Sequence, residues 1–164
     1  VIARCPWAAN GKTAGRKPNI ITSLELDPAI MEQRNNHLQK KYAEIEANEV
    51  RYEEINCEDA EYLMVAFGSC ARIAQKAMEL ARAEGIKVGL LRPITIWPFP
   101  SKAIAERAKQ VKGILTVELN AGQMIEDVRL AVECKVPTEH FGRLGGIVPD
   151  PDEVVSALKE KLVK

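Results

Sequence analysis

The chain has 164 residues, 46% of them hydrophobic and 28% charged, as expected for a globular protein with one domain and an additional segment. Its 23 basic and 23 acidic side chains give a formal net charge of zero, which offers no support for a nucleic-acid or membrane-surface partner. Apolar runs fall short of the roughly 20 residues that span a bilayer. Polar residues also interrupt Val1–Gly15, where a signal peptide would lie, so we expect a cytoplasmic protein.

Cysteines and histidines are too scattered in the sequence to predict a metal site. The four cysteines lack CxxC spacing, whereas zinc sites and iron–sulfur clusters use closely spaced thiolates. We therefore expect ordinary reduced thiols, with Cys70 and Cys134 in helices, and any iron–sulfur cluster of a redox system on other chains. His37 and His140 are isolated and are interpreted as structural or surface histidines. Because the chain begins at Val1 rather than Met, we expect a piece of a longer polypeptide.

Residues 1–49 are predicted to form an N-terminal arm with an amphipathic helix. Turn-forming residues dominate its start, and residues 20–26 are consistent with a short extended segment. Asp27 and Pro28 then provide a helix N-cap and a first helical position. The helix carries one apolar stripe at helical spacing, formed by Met31, Leu38, Tyr42 and Ile45. Such a narrow stripe covers a surface, either of its own domain or of another chain.

Residues 50–164 are predicted to form one three-layer α/β/α domain, because short apolar strands alternate with helices. This alternation places crossover helices on both faces of a parallel sheet. The predicted strands are 51–55 (an edge strand), 62–67, 87–91, 114–119 and 140–144. The predicted helices are 70–83, 102–110 with Ser101 as its cap, 122–133, and a last one that opens at Pro151.

Ligands of open parallel sheets usually bind beyond the carboxyl ends of the strands, and four sequence segments lie there. The first is Gly68-Ser69, at a strand end and a helix start, where free backbone N–H groups suit a phosphate or a carboxylate. The alternative is a simple turn with a helix cap, since the sequence contains neither GxGxxG nor GxxxxGK[ST].

The second segment is the connection from Arg92 to Pro100, which contains three prolines and two aromatic residues. A stiff loop that exposes Trp97 and Phe99 is typical of an interface anchor, because it loses little entropy on docking. Alternatively, both rings pack over the end of their own sheet. Arg92 could hold an anion, cap a helix C-terminus or pair with a nearby carboxylate.

The third segment runs from Glu118 to Gln123, where a strand again leads to a helix. Glu118 and Asn120 could orient a ligand or a neighbouring loop, and Gly122 permits a sharp entry to the helix. The alternative is a structural one, in which Asn120 caps that helix.

The fourth segment, residues 142–146, ends in a diglycine that either admits a partner or forms a turn. Arg143 is interpreted as a surface charge or a member of an ion pair. We identify no catalytic residue and no metal ligand in the sequence.

Two longer runs resemble a known family. GIKVGLLRPITIWPFP, from Gly85 to Pro100, and ELNAGQM, from Glu118 to Met124, are similar to the α subunit of 2-oxoacid:ferredoxin oxidoreductases. Residues 60–69 match as well, and residues 6–42 resemble the stretch that precedes this domain in 2-ketoisovalerate-type members. The resemblance therefore covers nearly the whole chain.

The resemblance implies a transketolase C-terminal-like fold with one antiparallel edge strand beside parallel ones. Full enzymes of the family oxidatively decarboxylate a 2-oxoacid to an acyl-CoA on thiamine diphosphate with Mg and pass electrons through iron–sulfur clusters to ferredoxin. Both kinds of cofactor are expected outside this chain, which is expected to serve assembly and to be inactive alone. The implied partners are the preceding thiamine pyrimidine-binding domain, the β (thiamine pyrophosphate-binding) subunit, the iron–sulfur subunit and ferredoxin.

Two other functions remain open from the residues. One is an independent anion- or nucleotide-binding α/β module that uses Gly68 and Ser69. The other is the equivalent domain of another thiamine enzyme, such as a transketolase, which should lack the run from Trp97 to Pro100.

Overall fold

The computed structural model describes Gly15, Lys17 and residues 22–163. The chain divides into two compact units, Val1–Lys41 and Tyr42–Lys164. The predicted domain boundary after residue 49 stays a prediction. Of the predicted extended segment, residues 20 and 21 lie outside the described residues, and residues 22–26 do not form a strand.

The first helix, α1, spans Pro28–Asn48 and begins where the sequence predicts. The Asp27 carboxylate accepts hydrogen bonds from the backbone N–H groups of Ala29 at 2.8 Å and Ile30 at 3.3 Å, which confirms it as the N-cap. Along this helix, which is described throughout, no residue is buried. Its half-buried positions are three of the four predicted stripe residues, namely Met31, Leu38 and Ile45.

Five strands form one mixed sheet in the order β1-β3-β2-β4-β5. The edge strand β1 pairs antiparallel with β3, and the other neighbours are parallel, as the family resemblance implied. The bounds are β1 Tyr52–Ile55, β2 Tyr62–Ala66, β3 Val88–Pro93, β4 Gly113–Glu118 and β5 Thr138–Gly142. All residues of β2 and β4 are buried, because these central strands are covered on both faces.

Four helices cover the two faces of the sheet. Their bounds are α2 Gly68–Ala83, α3 Ser101–Ala108, α4 Met124–Val132 and α5 Pro151–Lys161. One apolar core holds Ala74 of α2 and Leu158 of α5, and a second core holds Ile104 of α3 and Val128 of α4. The predicted three-layer α/β/α architecture is therefore confirmed. In the part of the chain that the structure describes, no helix is long and apolar enough to cross a membrane.

Some predicted details are wrong. Ser101 is the first residue of α3 and not its cap, because Pro100 occupies the capping position. Cys134 lies beyond the end of α4 with a left-handed φ of 54° and is exposed, whereas Cys70 lies in α2 as predicted. Strand β5 lies two residues earlier than predicted, because its last residue, Gly142, pairs with the last residue of β4, Glu118. Beyond that pair only the N–H of Arg143 still donates to the carbonyl of Glu118, at 3.3 Å.

Candidate functional site at the carboxyl edge of the sheet

Two of the segments predicted at the carboxyl ends of the strands, Gly68-Ser69 after β2 and Glu118–Gln123 after β4, flank the point where the strand order reverses. The chain leaves β2 through α2 on one face of the sheet and leaves the neighbouring β4 through α4 on the other face. In open α/β sheets this is the usual position of a binding crevice. The two turns are close enough for electrostatic coupling: burial and the nearby Glu118 carboxylate together raise the pKa of the Cys70 thiol.

Glu118 is the most unusual residue at this edge, because it is a carboxylate with only 1% of its surface exposed. One carboxylate oxygen accepts hydrogen bonds from the N–H groups of Gln123 at 3.1 Å and Met124 at 2.8 Å. The other accepts from Ile125 at 3.1 Å. These are the amides that the start of α4 leaves without intrahelical partners, and their dipoles favour a negative charge. Glu118 therefore caps α4 from within the sheet.

Of the roles left open for Asn120, its hydrogen bonds show a structural one in the turn before α4, without capping the helix itself. Its side-chain oxygen accepts from the N–H groups of Gly122 at 2.7 Å and Gln123 at 3.1 Å, which closes an Asx-type turn before the helix. Gly122 has a φ of 108°, which glycine tolerates at little cost. The capping of α4 thus belongs to Glu118, and Asn120 shapes the turn that leads into it.

His140 is a structural histidine, which is one of the two interpretations that the sequence allowed. Its Nδ1 lies 3.2 Å from the hydroxyl of Thr116 and 3.4 Å from a carboxylate oxygen of Glu118. Its Nε2 lies 3.1 Å from the backbone carbonyl oxygen of Asn120. The imidazole therefore joins β4, β5 and the turn before α4.

Gly142 makes this arrangement sterically possible. A Cβ atom at Gly142 would lie 2.2 Å from the carbonyl oxygen of Asn120 and 2.4 Å from Nε2 of His140. Glycine is required here by close approach and not by an unusual backbone angle. The close approach that the sequence suggested for the diglycine Gly145-Gly146 is not found there, because a Cβ atom at either glycine would have nothing within 4 Å; it is found at Gly142 instead.

Gly68 and Ser69 lie on the surface at the start of α2. Gly68 has a left-handed φ of 56°, and Phe67 occupies the capping position without making a side-chain cap. The simple turn with a capping side chain, weighed above as the alternative, is therefore not what the described residues form at this helix.

The two aromatic residues of the proline-rich connection behave differently. Phe99 is half-buried and packs against the core that holds α3 and α4. Trp97 is 55% exposed, and its ring meets Tyr42 edge-to-face with 5.6 Å between ring centroids. The Thr95 side chain accepts from the N–H of Arg51 at 3.0 Å and donates to the carbonyl of Pro98 at 2.9 Å, which fixes the loop.

A groove of about 740 Å³ opens beside Trp97. We call it the Trp97 groove, and its lining is Glu46, Ala47, Val50, Tyr52, Trp97, Pro98, Phe99, Pro100, Ser101, Lys102 and Ala103. Its volume lies in the range of ligand and peptide sites, and most of its lining side chains are apolar or aromatic.

Arg92 and Arg143, the two arginines considered in the sequence analysis, both form ion pairs. Arg92 donates to Glu53 at 2.7 Å across the antiparallel pair of β1 and β3, in agreement with its interpretation as a partner of a nearby carboxylate. Arg143 lies 3.4 Å from Glu153. Within the described residues there is no cluster of three or more histidine, cysteine or acidic side chains that could hold a metal ion.

The three layers with one antiparallel edge strand define a domain of the transketolase C-terminal type. A structure described as a split gene transketolase, inactive β4 tetramer, matches 68% of this chain and 41% of its own, with a TM-score of 0.58 at 19% identity. Residues 60–154 match the family model for pyruvate:ferredoxin oxidoreductase core domain II, and the chain belongs to this family of 2-oxoacid:ferredoxin oxidoreductase domains. This membership argues against the alternative that the chain is the equivalent domain of another thiamine enzyme, such as a transketolase.

Similar proteins carry related names. The ketoisovalerate oxidoreductase subunit VorB of Methanothermobacter thermautotrophicus is 47% identical over 94% of this chain and 43% of its own length. The 2-oxoglutarate synthase subunit KorA of Methanothermobacter marburgensis is 32% identical over 62% of this chain and 27% of its own. A structure of 2-oxoglutarate:ferredoxin oxidoreductase from Magnetococcus marinus matches 84% of this chain and 24% of its own, with a TM-score of 0.71 at 23% identity. The chain thus spans less than half the length of these relatives.

Proposed function

We propose that this domain belongs to a cytoplasmic, thiamine-diphosphate-dependent 2-oxoacid:ferredoxin oxidoreductase of the 2-ketoisovalerate type. That enzyme oxidatively decarboxylates a 2-oxoacid with coenzyme A, forms an acyl-CoA and CO2, and transfers two electrons to ferredoxin. The observation that carries this proposal is the 47% identity to a ketoisovalerate oxidoreductase subunit over 94% of the chain. The 2-oxoglutarate synthase subunit matches less of the chain at lower identity.

Within that enzyme the domain serves assembly, and the chemistry takes place on other parts. Thiamine diphosphate with Mg and the iron–sulfur clusters are held elsewhere in the complex. The partners are the thiamine pyrimidine-binding domain of the same subunit, the β subunit, the iron–sulfur subunit and ferredoxin. The polar side chains at the carboxyl edge support this division, because Glu118, Asn120 and His140 already bond one another or the backbone of α4 and its turn.

The Trp97 groove is the surface that we assign to assembly. Trp97 is exposed on a loop held by Thr95, and a rigid aromatic side chain of this kind is a frequent interface anchor. Its occupant is the remainder of the same subunit, since the matched region is only 43% of the length of the VorB relative. More than half of such a subunit is therefore available to cover this groove.

The test is reconstitution of the full-length subunit that contains this chain with its β and iron–sulfur partners. The assay is thiamine-dependent reduction of ferredoxin by 2-ketoisovalerate, pyruvate or 2-oxoglutarate with coenzyme A. We expect 2-ketoisovalerate to give the highest kcat/KM and every subunit to be required. A folded, cofactor-loaded assembly that reduces ferredoxin with none of the three acids would contradict the proposed activity.

A pair of variants tests the assembly role separately. In the full-length subunit, Trp97→Ala should loosen the contact between this domain and the remainder of the chain, measured as faster limited proteolysis between the two parts, whereas Leu130→Ala removes a side chain that is 77% exposed on α4 and should not. Equal cleavage rates in both variants would show that the Trp97 groove is not the interface, even if the enzyme is active.

The alternative function, an independent anion-binding module, depends on the backbone amides at Gly68 and Ser69. An uncapped helix N-terminus does not by itself identify a ligand, so the assembly function remains our proposal. Titration of the chain with coenzyme A, nucleotides and phosphate, with Ser69→Pro as the comparison, would reveal such a module if saturable binding disappeared in the variant.

A further inference from the structure

The Trp97 groove carries two charges of opposite sign on its walls. Glu46 lies in the last turn of α1, and Lys102 lies in the first turn of α3. Both side chains are exposed, and neither forms an ion pair with another described residue, whereas Arg107, the other basic side chain of α3, pairs with Glu54. The groove therefore presents one negative and one positive charge that the described part of the domain does not neutralise.

The remaining lining of the groove is mainly apolar and includes the exposed ring of Trp97. An occupant that covers Trp97 in a groove of about 740 Å³ also removes water from Lys102 and Glu46. A charge that is covered without a partner is destabilising, whereas a charge that meets the opposite sign is compensated. A wholly apolar occupant is therefore a poor match for this groove.

The backbone of α3 reinforces the positive charge of Lys102. Pro100 in the capping position offers no side-chain cap, and the first turn of α3 has no acidic side chain. The N–H groups at a helix start have no intrahelical acceptors, and their dipoles favour a negative charge. The last turn of α1 has the opposite polarity, and it contains no basic side chain beside Glu46. The two walls thus differ in sign for side-chain and backbone reasons alike.

We propose that the segment seated in the Trp97 groove carries an acidic side chain against Lys102, a basic side chain against Glu46 and an apolar side chain against Trp97. This chemistry deepens the assembly role proposed above and rests on it. The segment belongs to the remainder of the same subunit, because the matched region is 43% of the length of the VorB relative and a tethered segment docks at high effective concentration. The two charges also fix its direction, since a reversed segment would bring like charges together.

The test is a charge series at Lys102 in the full-length subunit, measured as the rate of limited proteolysis between this domain and the remainder of the chain. Cleavage there follows the population of the undocked form when docking is fast relative to cleavage. Lys102→Arg should be cleaved like the wild type and Lys102→Gln about two- to fivefold faster, as for loss of a partly exposed ion pair. Lys102→Glu should be cleaved faster still, because it brings like charges together, and Glu46→Lys should also accelerate cleavage.

Neither charge reversal should weaken the fold itself. A glutamate in the first turn of α3 and a lysine in the last turn of α1 each suit the helix dipole, so the urea midpoint should hold or rise. Arg72→Glu is the matched control, because Arg72 is also exposed near the start of a helix and forms no ion pair with a described residue. It lies on α2, which packs on the other face of the sheet from α3, so its cleavage rate should equal that of the wild type.

The outcomes distinguish the charge pattern from the assembly role. Faster cleavage of Trp97→Ala with unchanged rates across the Lys102 series would overturn the charge pattern and leave the assembly role in place. Unchanged rates in every variant, Trp97→Ala included, would overturn both. A Lys102 effect that appears only after the β and iron–sulfur subunits are added would place the occupant on another chain and would likewise overturn the proposal.

Discussion

The guanidinium of Arg107 lies against both carboxylate oxygens of Glu54, with Nε 3.0 Å from one of them. This half-buried pair joins α3 to the antiparallel edge strand β1. The hydrogen bonds to Glu54 raise the pKa of Arg107, so the guanidinium is charged at every accessible pH. A two-pronged arginine–carboxylate contact of this kind fixes geometry as well as charge.

Removing this pair should destabilise the domain. Arg107→Ala leaves the partly buried Glu54 without its partner, so we expect a loss of about 1–3 kcal/mol in the free energy of unfolding. Arg51→Ala is the matched control, because the pair of Arg51 and Glu49 is exposed and should contribute less than about 1 kcal/mol. Urea denaturation measures both, and equal losses would contradict the role assigned to burial.

Gly142→Ala should be more damaging than other glycine substitutions. The new Cβ atom would lie 2.2 Å from the carbonyl oxygen of Asn120, so the backbone must shift. We therefore expect the free energy of unfolding to fall by more than about 2 kcal/mol. Gly145 has a φ of 66° and open space around it, so Gly145→Ala should lower the free energy of unfolding by only about 1 kcal/mol. A thermal melt that ranks Gly145→Ala as the more destabilised variant would refute this reading of Gly142.

The salt bridge of Asp59 gives a prediction about pH. The hydrogen bond from Arg82 lowers the pKa of Asp59, so the folded state binds this proton less readily than the unfolded state. The stabilisation is therefore present above the ordinary aspartate range and disappears as the pH falls through the lowered pKa. Asp59→Asn should flatten the rise in stability between about pH 2 and pH 5.

The control for that measurement is Glu79→Gln, which alters an exposed pair within α2. Its stability should follow the wild-type pH dependence more closely than that of Asp59→Asn. Urea midpoints at several pH values give both curves, and a wild-type slope in Asp59→Asn would show that the Arg82 contact does not matter.

The cysteines should differ in reactivity. Burial raises the pKa of the Cys57 thiol to about 11, and Cys70 is buried with a raised pKa, whereas Cys134 is exposed. In a Cys5→Ser background, a thiol reagent at pH 8 should label Cys134 in the native state and the other two only after denaturation. Peptide mass spectrometry identifies the labelled sites, and rapid native labelling of Cys57 would contradict its burial.

The architecture could be predicted from the sequence because each strand and helix carries its own local pattern. The continuous apolar run of β2 and the Asp27-Pro28 start of α1 are examples in which neighbouring residues suffice. The contacts of His140 could not be predicted in this way. They depend on the register that sets Thr116 opposite His140, a pairing between strands that no local pattern specifies. The sequence could not decide whether Trp97 is exposed for the same reason, because its aromatic contact, Tyr42, lies far from it in sequence.

The capping of α4 by Glu118 also limits how this edge of the domain can change in length. The carboxylate at the end of β4 reaches the amides of Met124 and Ile125 directly, so the five residues between Glu118 and Met124 form a segment whose length is fixed at both ends. An insertion or deletion there would remove the helix start from its buried counter-charge. Diversification at this edge is therefore expected through replacement of exposed side chains, such as those of Leu119 and Ala121, at constant loop length.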